Sequence, residues 1–154
     1  MNREGKAHEV HLGLGTNLGD RQQNLLTAIR LIGERVGQVK RQSSFIQTAP
    51  WGFLSDNQFL NAVILCLTDK SPREVLLQTQ QIERDMGRTK KTAQSDKHQT
   101  TNVRHPAYSD RPIDIDILLY DHITVDEPDL QIPHPLMHER DFVMTPLREI
   151  NNEF

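Results

Sequence analysis

The sequence is poor in cysteine and in aromatic side chains, and it has no long apolar run. Cys66 is the only cysteine among 154 residues, which excludes a disulfide framework and predicts a buried free thiol. No stretch approaches the roughly 20 apolar residues of a membrane-spanning helix, and the N-terminus has no hydrophobic signal region. These absences predict one globular domain over residues 1–154, located in the cytoplasm and not bound to membranes.

The common nucleotide-binding loops are also missing. The run Gly13-Leu14-Gly15-Thr16-Asn17-Leu18-Gly19 resembles a dinucleotide fingerprint, but its third glycine falls one residue late. No Walker-type phosphate loop occurs in the sequence. We therefore interpret Gly15 and Gly19 as parts of a tight turn between a strand and a helix, a turn that can still lie near a ligand.

The chain is slightly acidic overall, and its positive charge is concentrated in one segment. The net charge of the chain is −3, which argues against a dedicated nucleic-acid-binding protein. Residues 87–111 nevertheless contain six Lys or Arg against two Asp. A basic segment in an acidic chain indicates a small polyanionic ligand rather than a nucleic acid.

Hydrophobic periodicity predicts an α+β fold. Helices are expected after Asn17 or Asp20, ending at Gly37, and from the Ser71 cap and Pro72 to Gly87. Strands are expected at 10–15, 39–47 and 59–68, and at the apolar run that contains Asp114 and Asp116. A short strand pair near 123–125 and a short helix from Leu136 follow.

The order of these elements is that of a ferredoxin-like βαββαβ sandwich with a small C-terminal extension. A polar stretch without periodicity, residues 88–110, precedes the acidic strand. A loop of this length inside a compact domain is usually a functional lid or a disordered segment, and we predict a mobile loop.

The acidic strand carries the clearest sign of chemistry. Side chains alternate along a strand, so Asp114 and Asp116 point the same way, and Ile113, Ile115 and Ile117 point into the core. Adjacent carboxylates repel each other unless a cation joins them or one takes a proton, and oxygen ligands on a rigid strand suit Mg²⁺. The alternative is a half-buried strand with a solvated polar face.

Two arginines and a histidine add phosphate-binding capacity. Arg88 and Arg111 bracket the long loop, and guanidinium groups pair bidentately with phosphate oxygens. His134 lies between two prolines, and its imidazole can donate to a phosphate. The alternatives are two solvated arginines and a turn histidine without a role, but the combination favours phosphoryl chemistry.

A flat heterocycle has candidate partners among the few aromatic residues. Phe59, Trp51 and Phe142 are expected in the core, although a ring can also lie between two such side chains. Asn61 shares the face of Phe59 in a strand, and its amide offers both a donor and an acceptor to a lactam.

Together these residues resemble one family, the 6-hydroxymethyl-7,8-dihydropterin pyrophosphokinases of folate synthesis. The likeness covers nearly the whole chain and rests on seven ordered segments: Gly15-Thr16-Asn17-Leu18-Gly19-Asp20, Gln47-Thr48-Ala49-Pro50-Trp51-Gly52, Phe59-Leu60-Asn61-Ala62, residues 80–88, residues 111–117, Ile132-Pro133-His134-Pro135 and Glu139-Arg140-Asp141-Phe142. The resemblance implies transfer of the terminal diphosphate of ATP to the pterin hydroxymethyl group, with release of AMP.

The resemblance also implies roles for individual residues. Asp114 and Asp116 would bind two Mg²⁺ ions, and together with Arg88 and Arg111 they would form the catalytic set. Residues near ATP would be Leu76, Gln80, Glu83, Arg88, Lys90, Arg111, His134 and Arg140. Residues near the pterin would be Thr48, Ala49, Pro50, Trp51, Gly52, Phe59, Asn61, Tyr108 and Phe142. The partners would be the two small substrates, with no nucleic acid and no membrane, and the chain would act as a monomer.

One segment departs from the family pattern. Tyr108-Ser109-Asp110-Arg111 stands where the family commonly has Trp-Gly-Pro-Arg, and the preceding loop is longer than usual. Two other functions stay open from the residues themselves: a non-catalytic ferredoxin-like module that binds a small ligand or RNA, and a metal-dependent phosphohydrolase. The acidic pair on the strand face argues against RNA.

Overall fold

Three segments of the chain, residues 7–48, 59–87 and 112–151, are described by the computed structural model. Their main element is an antiparallel sheet of β1 (His8–Thr16), β2 (Gln38–Gln42), β3 (Ile46–Thr48), β4 (Phe59–Thr68) and β5 (Asp114–Tyr120). The strand order is β2-β4-β1-β5, and β3 also pairs with β4. With β2 and β3 counted as one edge strand, the chain follows the predicted ferredoxin-like βαββαβ order, which confirms the fold class.

Two helices connect the strands, and local capping explains where each begins. Helix α1 (Arg21–Arg35) begins after Asp20, whose side chain accepts from the Gln23 N–H at 3.1 Å. Helix α2 (Pro72–Asp85) has a capping box in which the Ser71 side chain and Glu74 satisfy each other's backbone N–H groups. Of the two predicted caps for α1, the structure therefore uses Asp20.

Helix α1 ends two residues before the predicted Gly37. The chain instead turns at Gly37 against β4, where a Cβ atom would lie only 2.0 Å from the carbonyl oxygen of Leu67. Glycine is needed at this position because the turn packs backbone against backbone.

Three other sequence predictions differ from the structure in their boundaries. The single strand expected at 39–47 is broken at Ser43, whose hydroxyl accepts from the Val63 N–H at 2.9 Å in place of a ladder bond. The hairpin expected near 123–125 is β6 (Val125–Glu127) with β7 (Leu130–Ile132). The helix expected from Leu136 is a 3₁₀ turn at Met137–Glu139, after which α3 (Asp141–Ile150) begins.

The two faces of the sheet are covered differently. One face, which we call the helix face, presents Val10, Leu12 and Leu14 of β1, and α1 and α2 bury it. Helix α3 packs on the opposite face, where its apolar residues meet Val63, Leu65 and Leu118. Cys66 lies within the helix-face core, and burial raises the pKa of its thiol to about 12. No helix within the described ranges is long and apolar enough to cross a membrane.

Candidate active site

On the face opposite the helix face, strand β1 has glycine at two alternate positions and therefore presents no side chain at either. Gly15 of β1 pairs with Asn61 of β4 on one side and with Asp114 of β5 on the other. Gly13 pairs in the same way with Val63 and Asp116. Directly paired residues of an antiparallel sheet point to the same face. Gly13, Gly15, Asn61, Asp114 and Asp116 therefore share one surface, which we call the glycine face.

The acidic pair is positioned by the alternation of strand β5. Ile113, Ile115 and Ile117 are 0%, 6% and 5% exposed and belong to the helix-face core. Burial of these isoleucines leaves Asp114 and Asp116 half-buried on the glycine face, as the sequence predicts. Two carboxylates on one rigid strand, opposite two glycines, form an oxygen-donor surface that suits a divalent cation.

A side chain of helix α2 fixes the outer edge of β5. The Glu83 carboxylate accepts from the backbone N–H of Ile115 at 2.8 Å, directly between the two aspartates in sequence. Among the described strands, β5 lies at the edge of the sheet, so none of them bonds to this N–H. Glu83 thus ties the acidic strand to the end of α2.

Beside this edge lies a cavity of about 280 Å³. Its walls include Leu76 of α2, Asp116 of β5 and His134, three residues that the sequence analysis assigned to the ATP and metal sites. Residues 128–131 of the β6–β7 hairpin close another side. The structure therefore brings an apolar contact, a carboxylate and an imidazole together around a space of ligand dimensions.

Hydrogen bonding determines which nitrogen of His134 carries the proton. Its Nδ1 accepts from the Leu136 N–H at 3.2 Å, so the neutral ring holds its proton on Nε2 and can donate there. Burial lowers the pKa of His134, and the negative charge of Asp114 partly opposes this shift. His134 is consequently a neutral hydrogen-bond donor at the cavity near neutral pH.

The other side of the glycine face carries the predicted heterocycle contacts. Asn61 is 5% exposed and Phe59 is half-buried, at the end of β4 where Thr48 of β3 pairs with Phe59. Phe142, in the first turn of α3, packs against the apolar cluster on this face.

The guanidinium of Arg140 lies 5.6 Å from the centroid of the Phe142 ring. This arginine is 3% exposed, and burial lowers its pKa. It precedes α3 directly, so the same turn of chain orients both Arg140 and Phe142.

Several predicted site residues have no structural description. Arg88, Lys90, Arg111, Tyr108 and residues 49–52 lie outside the described ranges. Gln80 is half-buried one turn after Leu76 on α2, although it does not line the cavity. Within the described ranges, no group of three His, Cys, Asp or Glu side chains comes together as a metal site.

Sequence reasoning missed the hairpin wall of the cavity and its support. Pro128, Asp129, Leu130 and Gln131 line the cavity, and Arg73 of α2 bonds to Glu127 and to Asp129, the latter at 2.8 Å. No sequence pattern predicts that this hairpin lies beside β5, because the contact depends on the path that the chain takes after β5. Alternate glycines in an otherwise apolar strand are a signal that could have indicated Gly13 and Gly15. The interpretation of Gly15 as part of a tight turn was wrong, because Gly15 lies inside β1 and pairs with strands on both sides.

A second cavity, of about 480 Å³, lies at the opposite end of the sheet. Glu9, His11, Arg41, Asp121 and His122 are among its lining residues. None of the predicted site residues within the described ranges lines it, so these residues gather at the smaller cavity and on the glycine face.

Comparison with known proteins indicates one family. A family model described as 7,8-dihydro-6-hydroxymethylpterin-pyrophosphokinase matches residues 11–152. A Porphyromonas gingivalis protein named 2-amino-4-hydroxy-6-hydroxymethyldihydropteridine pyrophosphokinase is 44% identical over 142 residues, which cover 92% of this chain and 89% of that protein. A Bacillus subtilis protein of the same name is 36% identical over 142 residues, covering 92% of this chain and 77% of that protein.

Solved structures show the same fold. The crystal structure of an HPPK-DHPS in complex with substrates aligns with a TM-score of 0.71 at 14% identity, covering 96% of this chain. The present chain spans only 41% of that longer protein, so this likeness concerns the fold of the shared region. The match over residues 11–152 and the two close relatives establish the family. The chain belongs to the 7,8-dihydro-6-hydroxymethylpterin-pyrophosphokinase family.

Proposed function

We propose that this protein transfers the terminal diphosphate of ATP to the hydroxymethyl group of 6-hydroxymethyl-7,8-dihydropterin in folate synthesis. The products are AMP and the pterin diphosphate. The observation that carries the proposal is the acidic pair, Asp114 and Asp116, which faces Gly13 and Gly15 and adjoins the cavity with His134. Family membership supports the same reaction.

The acidic pair is the proposed site of two Mg²⁺ ions. Carboxylate oxygens are the donors that Mg²⁺ prefers, and the glycines opposite leave room for its water and phosphate ligands. When bound, Mg²⁺ would supply charge neutralisation and polarisation at the phosphate oxygens. Asn, which has no full negative charge, would not replace either Asp at this position.

In the proposed assignment, ATP occupies the cavity at the edge of β5. Leu76 offers an apolar contact, and the Nε2–H of His134 donates to an acceptor of the nucleotide. Gln80 and Glu83 of α2 and Arg140, which precedes α3, are proposed as further residues near the nucleotide. Arg88, Lys90 and Arg111 are proposed phosphate ligands on the strength of the sequence alone.

The pterin is proposed to lie at the Asn61 side of the glycine face. Phe59 and Phe142 would contact the ring, Asn61 would pair with its lactam edge, and residues 48–52 and Tyr108 would complete the pocket. The hydroxymethyl oxygen then attacks the β-phosphorus of ATP, and the bond from that phosphorus to the α–β bridging oxygen breaks. AMP departs with the bridging oxygen, and one carboxylate of the pair is the chain's candidate acceptor for the hydroxyl proton.

The protein contributes mainly position and charge to this reaction. Asp114 and Asp116 are fixed by the buried isoleucines that alternate with them, and Glu83 fixes the strand edge. Reacting groups held on rigid elements avoid much of the entropy loss of a bimolecular encounter. We further propose that the chain acts in the cytoplasm as a monomer.

A product assay tests the proposal. The purified chain is incubated with ATP and Mg²⁺, with and without the hydroxymethyl dihydropterin, and nucleotide products are separated by chromatography. AMP that forms only with the pterin supports the proposal. Inorganic phosphate released without the pterin would instead indicate a phosphohydrolase, and binding without turnover would indicate a ligand-binding module.

A further inference from the structure

Strand β1 presents large apolar side chains on one face and two glycines on the other, and the stability of the strand does not explain these glycines. On the helix face, β1 presents Val10, Leu12 and Leu14, which are 0%, 0% and 3% exposed. On the opposite face, the positions between them are His11 and Gly13, and Gly15 follows Leu14. A glycine inside a strand is less stabilising than alanine, because glycine loses more conformational freedom on folding. Two such glycines on one face indicate that something approaches the backbone closely.

The side chains around Gly15 identify what approaches it. A Cβ atom at Gly15 would lie 2.9 Å from Oδ1 of Asn61 and 3.5 Å from Cδ1 of Phe59. Real Cβ atoms almost never come within 3.0 Å of another heavy atom, so any larger residue here would displace the Asn61 amide. At Gly13 the corresponding contact is Leu118, at an ordinary 3.4 Å.

We propose that Gly15 is a specificity-determining position for the pterin substrate, because only glycine lets the buried Asn61 amide lie over the central strand. This inference rests on the proposed function. Asn61, Gly15 and Asp114 form one row across three strands, so the backbones at its ends are about 9.5 Å apart, twice the strand spacing. The Asn61 amide at one end would pair with the pterin ring. The Asp114 carboxylate at the other end would lie on the side of the hydroxymethyl group.

Gly15 affects pterin binding by positioning Asn61 and not by changing the stability of the fold. It predicts that Gly15→Ala weakens pterin binding by about ten-fold or more, since a displaced amide leaves lactam donors and acceptors unpaired. Binding of a non-hydrolysable ATP analogue with Mg²⁺ should change by less than about two-fold, because this substrate binds at the edge of β5. Calorimetric titration of both ligands measures the difference.

Gly33→Ala is the matched control. Gly33 lies within α1, where a Cβ atom would meet nothing closer than Val39 at 4.0 Å. The same substitution there should leave both affinities at the wild-type value. Equal pterin affinity in Gly15→Ala and in the wild type would overturn the proposal.

A double-mutant cycle separates displacement of Asn61 from other effects. In an Asn61→Ala background the displaced group is absent, so Gly15→Ala should add less than about a two-fold loss of pterin affinity. A further ten-fold loss in the double variant would overturn the proposal. This comparison also decides the question if Gly15→Ala alone does not fold, because truncation of Asn61 removes the close contact.

The wild-type chain distinguishes this inference from the proposed function. A wild type that binds no pterin and forms no AMP overturns the proposed function, and this inference with it. A wild type that binds pterin, together with a Gly15→Ala variant that binds it equally well, overturns only the role of Gly15.

Discussion

The two faces of the sheet are formed by the same strands but have different roles. On the helix face, the strands present mainly buried apolar side chains, and two amphipathic helices cover them. On the glycine face, apolar contacts with α3 occupy one part, and the other part carries glycines, an amide and two carboxylates. Because neighbouring residues point to opposite faces, one strand supplies both the core and the candidate site.

Residues that stabilise the core and residues of the candidate site therefore alternate along the same strand. Substitutions on the helix face should mainly change the free energy of unfolding, and substitutions on the glycine face should mainly change catalysis. Four experiments test this division, and the first removes one charge from the acidic pair.

Asp114→Asn and Asp116→Asn should each lower turnover by at least about a thousand-fold, because the amide loses the charge that holds a divalent cation. The unfolding temperature should stay near the wild-type value, since both side chains are half-buried on the glycine face. Steady-state AMP production and a thermal unfolding curve measure the two effects. Asp126→Asn, at an exposed position of β6, is the control. Near-normal activity in either variant would contradict the assignment of the pair.

Leu12→Ala should have the opposite profile. Leu12 is 0% exposed in the helix-face core, so truncation should lower the free energy of unfolding by about 2–5 kcal/mol. Turnover per folded molecule at low temperature should stay within about two-fold of wild type. Denaturant titration gives the stability, with Leu77→Ala, 54% exposed, as the control. A loss of turnover in fully folded Leu12→Ala would show that the two faces are coupled.

Glu83→Ala should affect both properties moderately, because Glu83 joins α2 to the acidic strand. Loss of the acceptor leaves the Ile115 N–H unpaired, at about 1–3 kcal/mol of stability. A less fixed strand should lower the turnover number by about ten-fold.

Glu83→Gln keeps an acceptor oxygen and should restore most of the turnover lost in Glu83→Ala. Glu34→Ala, on the exposed face of α1, is the charge-matched control. An increase of the KM for ATP that glutamine does not rescue would instead indicate direct contact between Glu83 and the nucleotide.

His134 should give the smallest effect, through the pH dependence of stability. Burial lowers its pKa below the ordinary 6.5, so the unfolded chain binds more protons at this residue as the pH falls through 6.5. The free energy of unfolding should therefore decrease below pH 6.5 and show no contribution from His134 well above it. Denaturant titrations without Mg²⁺ should show a shallower decrease for His134→Asn, whose amide can still accept from Leu136. Identical slopes would refute this account.

Much of the fold could be predicted from the sequence because its signals are local. The capping box at Ser71, the helical spacing of apolar residues in α1 and the boundaries of β4 act within a few residues. The boundaries that differed are those decided by tertiary contacts. Ser43 interrupts an edge strand by bonding to Val63, and Gly37 turns where two backbones meet.

The candidate site divides in the same way. Alternation of Asp and Ile in β5 determined that both carboxylates share a face opposite the core, and the ordered motifs determined the family. The amino-acid order alone did not decide which residues of other strands lie across from those carboxylates, because register depends on packing between distant segments. The pairing of Gly15 with Asn61 and Asp114, the bond from the Ile115 N–H to Glu83, and the hairpin wall beside His134 are therefore properties of the tertiary structure.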